Sequence, residues 1–564
     1  MNKLKVAILI NSYTQPVWSA ELIERLQKSS ACEVIAYVLP ENPPEKIGNS
    51  KRLLTNLPFM LYKLYSLVDR RIFNIKKKDP FRAVVIDRKE IHEVRLLVQR
   101  TRFRDMIKEE HLGILQDLKP DILVRLGFRI LTGPILNMAK FGVWSYHHAD
   151  NKVNRGGPAG LWEVINREAT TGITLQILSE SLDGGRVLYR GLSKTYPWSW
   201  YRNKINYYWK SVFILPREVE RLAKFGEEAF FVSKQSINPE LNFYTYPLYR
   251  KPNNGQMLLF FASHFRHFIL KLWSNLFFEE YWQIGILNML KSRELRNAKY
   301  LVPPRNTLWA DPFYINVEEQ QAEYIFFEKQ NQGKRGVIEY FKRSIGEKQY
   351  EGPFPALKQP FHLSFPNVFK HQGDFFMLPE AGESHELTLY RADVFPHKWK
   401  PFRTLLKGTF VDPVLFRQNG LLWLFVNKTE HALGKAADEL HIYYNEEGDF
   451  KSWTSHPLNP VVSDIRRSRN AGNVLQTTNG LTYRVSQKIE KYYGEAVNLN
   501  MIITLSKTDY REVWQEELLP AMTSNMNGLH TLQISGEEMI FDIATSRSRL
   551  KLKGNKLNSL IKTK

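Results

Sequence analysis

Residues 145–168 read SYHHADNKVNRGGPAGLWEVINRE, with adjacent histidines, Asp150, Arg155 and three glycines in one short segment. Three chemistries use such residues: a metal site, a phosphate loop and an acyl-transfer centre. A metal is disfavoured, because His147 and His148 are neighbours on an extended segment and face opposite sides. The NRGGPAG run lacks the Lys-Ser/Thr ending of a P-loop. The plainest alternative is that the glycines only make a tight strand-to-helix connection.

Working outward, residues 1 to about 195 alternate strand and helix patterns. KVAILI, CEVIAYVL and DILVRLG read as buried strands, SAELIERLQKS as a helix, and RFRDMIKEEHLGILQDL carries helical periodicity. This order predicts a Rossmann-like α/β domain with a parallel sheet. The first turn, NSYTQPVWSAE, has no glycine fingerprint, which argues against a nicotinamide or flavin site. LLTNLPFMLYKLYSLVDRRIFNIKKK reads as an inserted basic helix.

Gly142, His147, Arg155-Gly156, Thr171-Gly172, Thr174 and Leu182-Asp183-Gly184-Gly185 follow one another in a recognisable order, with 36 residues from His147 to Asp183. This region resembles the N-terminal domain of the folate-dependent formyltransferases. The resemblance implies formyl transfer from 10-formyl-tetrahydrofolate to an amine through a tetrahedral oxyanion, with no metal. Such a step needs an oxyanion donor and a proton acceptor. By resemblance, His147 polarises the formyl oxygen or handles the proton, and Asp183 orients it or a water. Arg155, Gly156, Gly157 and Gly184 shape the loops beside the substrate. Where the family carries asparagine this chain has Ser145. Either Ser145 serves, or Asn151 or Asn154 is recruited, or formyl transfer is lost.

From about residue 300 the pattern changes to short strand pairs. Five comparable units are marked by Pro312, Pro366, Pro413, Gly472 and Gly528, at steps of 54, 47, 59 and 56 residues. A period near 50 with several strands per unit predicts a five-bladed all-β propeller. WADPF, HLSFPNVF, MLPE, VDPVLF and HPLNPVVSDIRRSRNAG resemble the propeller region of plant glucosamine inositolphosphorylceramide transferases and, more distantly, five-bladed glycoside hydrolases. Asp311, Glu380, Asp412, Arg466 and Arg469 are the expected funnel residues. Carboxylates about 5–10 Å apart would suit glycosidic chemistry, although each Asp-Pro can also simply cap a turn. The expected domains are 1–200 (formyltransferase-like), 201–295 (connecting helical and aromatic segment), 296–550 (propeller) and 551–564 (basic tail).

Composition narrows the partners. With 79 Lys and Arg against 58 Asp and Glu, the net charge of +21 favours anionic partners. The cations are scattered, so a solvated basic surface is the plainer reading. The single cysteine, Cys32, excludes an intrachain disulfide framework. The start MNKLKVAILINSYTQPVW has too short an apolar run for a signal peptide, so the expected location is cytoplasmic. Residues 257–278, MLLFFASHFRHFILKLWSNLFF, are broken by charge and suggest a core-packed joining helix or an interfacial helix. The latter would place the protein against the inner face of an anionic membrane. The expected function is formyl transfer to an amino group of a sugar nucleotide, glycan or glycolipid precursor held by the propeller. The alternatives are glycosyltransferase- or glycosidase-like chemistry in the propeller beside a degenerate first domain, and a glycan-binding assembly protein. Nucleic acid is not an expected partner, because nothing resembles the small C-terminal barrel of the tRNA enzymes, and the oligomeric state stays open.

Overall fold

The computed structural model describes residues 3–42, 56–74, 78–88, 91–101, 103–150, 152–153, 155–181, 184–238, 248–292, 294–429, 438–519 and 526–549. Asn151, Asn154, Asp183 and the basic tail lie outside them, and Arg155 is described by its backbone alone. The chain divides into two units, one ending at Phe261 and the other beginning at Ala262.

The first unit is a formyltransferase-like α/β fold. Its seven-stranded sheet runs in the order Arg186–Lys194, Thr170–Ile177, Val143–His147, Ile122–Arg125, Leu4–Leu9, Cys32–Pro40 and His92–Leu96. The strand LKVAIL is apolar on both faces because both are covered. Val6 and Ile8 pack with Trp18, Leu22 and Leu26 of the Val17–Lys28 helix, while Ala7 and Leu9 join Val94, Leu115 and Leu123 on the other side. The sheet is not wholly parallel. Thr170–Ile177 and Arg186–Lys194 add antiparallel strands at one edge.

The expected helix over RFRDMIKEEHLGILQDL is replaced by a strand, Arg104–Met106, and a short helix, Gly113–Leu118. Pairing of that strand with Ile130–Thr132 outweighs the helical period. The inserted basic helix is present as Met60–Phe73. The helix Trp200–Phe225, assigned from sequence to the connecting segment, supplies Tyr201, Trp209, Ile214 and Leu215 to the core of the first unit. Its first turn is capped by Ser199, whose side chain accepts from Arg202 N, and it ends at Gly226, where φ is +79°.

The second unit is propeller-like. Its described residues form five four-stranded antiparallel sheets. The fifth joins the two ends of the unit, pairing Phe278–Asn288 with Glu538–Ser548. Phe278–Asn288 had been assigned to the connecting segment, yet it is an integral strand. Among the described residues no sheet closes on itself. Hydrogen bonds instead link each sheet to the next: Phe365 N to Asp311 Oδ2, Leu415 N to Asn367 Oδ1, Asn470 Nδ2 to Asp412 O, Leu532 N to Ala471 O, and Asp311 N to Asp542 Oδ2. That circuit returns to its starting residue.

The repeated X-Pro motif has a structural meaning. The leading strands of the first three sheets lose register at Ala310/Phe313, Ser364/Asn367 and Val411/Val414. Asp311, Phe365 and Asp412 sit in those bulges with φ of +53°, +47° and +49°. Left-handed backbone before proline is unfavourable locally, so the surrounding sheets hold it, and the bulge re-aims the side chain. Gly472 occupies the matching place in the fourth unit, where an added Cβ would lie 2.0 Å from Leu532 O.

Candidate functional site

The bulges bring chemistry together in the second unit. Asp311 and Asp412 leave their bulges as buried side chains. The second strands of the same sheets place Glu328, Glu380 and Asn427 at matching registers, opposite Ala310, Ser364 and Val411. Glu328 is buried and Glu380 half-buried. The last sheet adds His530, Thr531 and Asp542.

His530 lies between two carboxylates. Nε2 is 3.1 Å from Asp311 Oδ1, and Nδ1 is 2.6 Å from Asp542 Oδ2. Asp542 Oδ1 also accepts from the backbone N–H of His530 and Thr531, at 3.2 and 2.8 Å. Burial alone would discharge this imidazole, but the Asp542 and Asp311 carboxylates override it and hold His530 well above the usual histidine range. Burial likewise pushes Asp311 up. The His530 charge, with hydrogen bonds from Thr531 Oγ1 and Phe365 N, reverses that and keeps Asp311 ionised.

The glutamates behave oppositely. Burial raises Glu328, and the charges of Asp311 and Glu380 raise it further. Burial also raises Glu380, reinforced by Asp412 against the opposing charge of Arg469. Glu380 accepts from Asp412 N at 3.2 Å. The cluster therefore sets carboxyls pushed upward beside one pushed downward, the kind of contrast that separates acid from base roles.

Of the expected arginines, Arg469 joins the cluster, donating to Asp412 from Nε at 2.5 Å and Nη2 at 3.0 Å. It also stands 5.4 Å from the ring centre of the half-exposed Tyr493. Arg466 instead pairs with Asp464 at 2.7 Å. Sequence reading missed Glu328, His530 and Asp542. The available signal was GLHTLQ, whose His530-Thr531 fills the bulge position that Asp-Pro fills elsewhere.

Asp311, His530 and Asp542 also offer ligand atoms within 4.8 Å of one another. A metal held there would need the imidazole as the neutral ring, because only that form offers a lone pair.

In the first unit, His147 is half-buried at the end of the Val143–His147 strand, opposite Thr174. His148 points into the core. Its ring stacks on Tyr208 at 4.0 Å, and Nε2 lies 3.1 Å from Ser211 Oγ. Burial, then the neighbouring His147 and Arg125, push it down to about 3. Ser145 is buried, accepting from Arg125 Nε at 2.9 Å and donating to Tyr146 O at 3.4 Å. Gly156, at φ +90°, passes beside Tyr249 O, which an added Cβ would meet at 2.2 Å. Gly157 N donates to the same carbonyl, and Gly184 N donates to Ser181 O. Of the residues expected around a formyl donor, His147, Ser145, Gly156, Gly157 and Gly184 are described, while Asn151, Asn154 and Asp183 lie outside the described residues.

The chain is similar to two kinds of transferase: formyltransferases in its first region and plant glucosamine inositolphosphorylceramide transferases in its second. Residues 298–531 match the family model described as "Glucosamine inositolphosphorylceramide transferase 1, N-terminal". The protein of that name from Arabidopsis thaliana is 34% identical over 217 residues, covering 37% of this chain and 27% of the relative. Methionyl-tRNA formyltransferase from Prochlorococcus marinus (strain NATL2A) is 38% identical over 76 residues, covering 13% of this chain and 23% of the relative. The chain thus spans about a quarter of the length of each. Among solved structures, Zg3597, a family 117 glycoside hydrolase from Zobellia galactanivorans, aligns with 50% of this chain and 98% of its own at 11% identity and a TM-score of 0.32.

Proposed function

We propose that the second unit is a five-bladed propeller whose carboxyl cluster works on a glycosyl bond of a glycan or glycolipid. The observation that carries this is the convergence of Asp311, Glu328, Glu380 and Asp412 with His530 and Arg469, in which Asp311 is pushed down and the two glutamates are pushed up. Glycosyl chemistry passes through an oxocarbenium-like state, which needs a carboxylate to stabilise or deprotonate and a carboxylic acid to protonate the leaving oxygen. Glu380, half-buried, is the accessible acid, and Asp311 is the base held in place by His530. Arg469 fixes Asp412, and Tyr493 offers an aromatic face for a sugar ring. The names of the relatives support a glucosaminyl group and an inositol-phosphate lipid as substrates to test.

The test is turnover of nucleotide-linked and aryl-linked glucosaminyl donors, with and without an inositol-phosphate lipid acceptor. Asp311→Asn and Glu380→Gln should each lower the rate by about a hundredfold or more. Wild-type rates in both variants, or no turnover of any donor, reject the reading.

A second reading is supported by the sequence match to methionyl-tRNA formyltransferase and by His147 at its strand end. Here the first unit formylates an amino group on the same class of substrate, with 10-formyl-tetrahydrofolate as donor. Saturable binding of 5-formyl-tetrahydrofolate, together with formyl transfer lost in His147→Ala, is the expected result. No saturable binding removes it.

A further inference from the structure

The helix Asn254–Phe277 packs at its start, and at its end Phe277 O accepts from Arg549 N at 2.8 Å. Met257 and Phe260 are buried and pack with Val164, while Tyr65 of the Met60–Phe73 helix meets Phe260 and Phe261 edge-on at 5.3 and 6.0 Å. From Phe268 to Leu276 every residue is exposed, and most are apolar. Among the described residues no helix is long and apolar enough to cross a membrane.

The pattern is not random exposure. At 100° per residue, Leu258, Phe265, Phe268, Ile269, Leu272 and Leu276 fall on one face, with Trp273 at its margin. Phe265 is 67% exposed and Trp273 61%. The opposite arc carries Ser263, His264, His267, Lys271, Ser274 and Asn275. His267 Nδ1 is satisfied there by Ser263 O at 2.7 Å. From Leu258 to Leu276 the apolar stripe runs about 27 Å. Residues 251–278 contain Lys251, Arg266 and Lys271 and no acidic residue. The Met60–Phe73 helix repeats the arrangement. Leu61, Tyr62 and Tyr65 pack inward, while Met60, Leu64, Leu67 and Ile72 are exposed beside Lys63 and Arg71.

We propose that the Asn254–Phe277 helix lies in the interfacial plane of an anionic lipid bilayer, with its Leu/Phe/Trp stripe among the acyl chains. Its cations meet the headgroups. A wide, smooth apolar stripe bordered by cations with no acid suits a bilayer better than a protein groove, which would present polar atoms requiring partners.

Flotation of the full chain with phosphatidylcholine–phosphatidylserine vesicles tests this, with phosphatidylcholine vesicles as comparison. Recovery should require phosphatidylserine and weaken with salt. Combined Leu272→Ser and Trp273→Ser, both at exposed positions, should lower apparent affinity at least about tenfold with unchanged circular dichroism. Combined Arg266→Glu and Lys271→Glu should remove the preference for anionic lipid. Wild-type chain that stays unbound, or serine variants that bind equally well, overturn the proposal. So does a dimer in sedimentation velocity that the serine variants split without any vesicle binding, which would make a second copy the occupant.

Discussion

Asp311 and His530 face each other with Oδ1 and Nε2 3.1 Å apart, each buried, one from the first sheet of the second unit and the other from the last. This pair secures the junction where the circuit of sheets returns to its start, and it keeps Asp311 ionised. Stability and chemistry therefore depend on the same contact.

His530→Gln should cost about 3–5 kcal/mol at neutral pH, because it leaves Asp311 and Asp542 as buried charges without their cation. The raised histidine contributes stability in full below its unfolded value, about 6.5, and loses it as pH rises through the folded value. Depressed Asp311 contributes above its unfolded value, about 3.9, and loses this as pH falls through the folded value. The gap between wild type and variant in urea unfolding should thus be full above about pH 4, narrow as the pH falls below that, and close in alkali. A gap independent of pH would contradict the ion-pair account.

Glu380→Gln should separate stability from activity. A raised carboxyl favours folding below its unfolded value, about 4.5, and disfavours it progressively as pH rises. The amide removes that penalty while keeping an oxygen to accept from Asp412 N. At neutral pH the variant should be at least as stable as wild type, by up to about 1–2 kcal/mol, with glycosyl turnover lost. Urea titrations at acid and neutral pH check it, and a clear destabilisation at neutral pH would reject the proton on Glu380.

Arg469→Met strands Asp412, which receives both Nε and Nη2 of the guanidinium. The expected loss is about 3–5 kcal/mol. Adding Asp412→Asn should recover much of it, so the double-mutant cycle is strongly non-additive. Additive losses would show that the two side chains act independently.

His148 remains neutral in the folded first unit, with its proton affinity pushed down to about 3. The unfolded chain binds that proton near pH 6.5, so wild-type stability should rise with pH between about 3 and 6.5. His148→Gln should flatten this slope, at a cost of about 1–3 kcal/mol from lost stacking on Tyr208. NMR should show no His148 titration between about pH 5 and 8. A midpoint inside that range would refute the buried neutral ring.

Much of this architecture was legible in one dimension. KVAILI, CEVIAYVL and DILVRLG could only be strands covered on both faces, and the spacing of Pro312, Pro366 and Pro413 marked the sheets, because short strand pairs recur at a fixed chain length. The errors arose where a distant partner decided the outcome. Arg104–Met106 has helical periodicity but finds Ile130–Thr132. Phe278–Asn288 looks like the end of a joining segment until Glu538–Ser548 comes beside it.

The chemistry divides in the same way. The sequence by itself determined which residue types recur at the X-Pro positions, since that follows from the repeat along the chain. It also exposed the absence of the family's asparagine at Ser145. Only the tertiary structure decided that Glu328, His530 and Asp542 share a site with Asp311 and Glu380, and that Arg469 rather than Arg466 reaches Asp412. The physical reason is that a carboxyl's charge is set by what is buried beside it. Here those neighbours come from different sheets, held together by hydrogen bonds and bulges that no local pattern encodes.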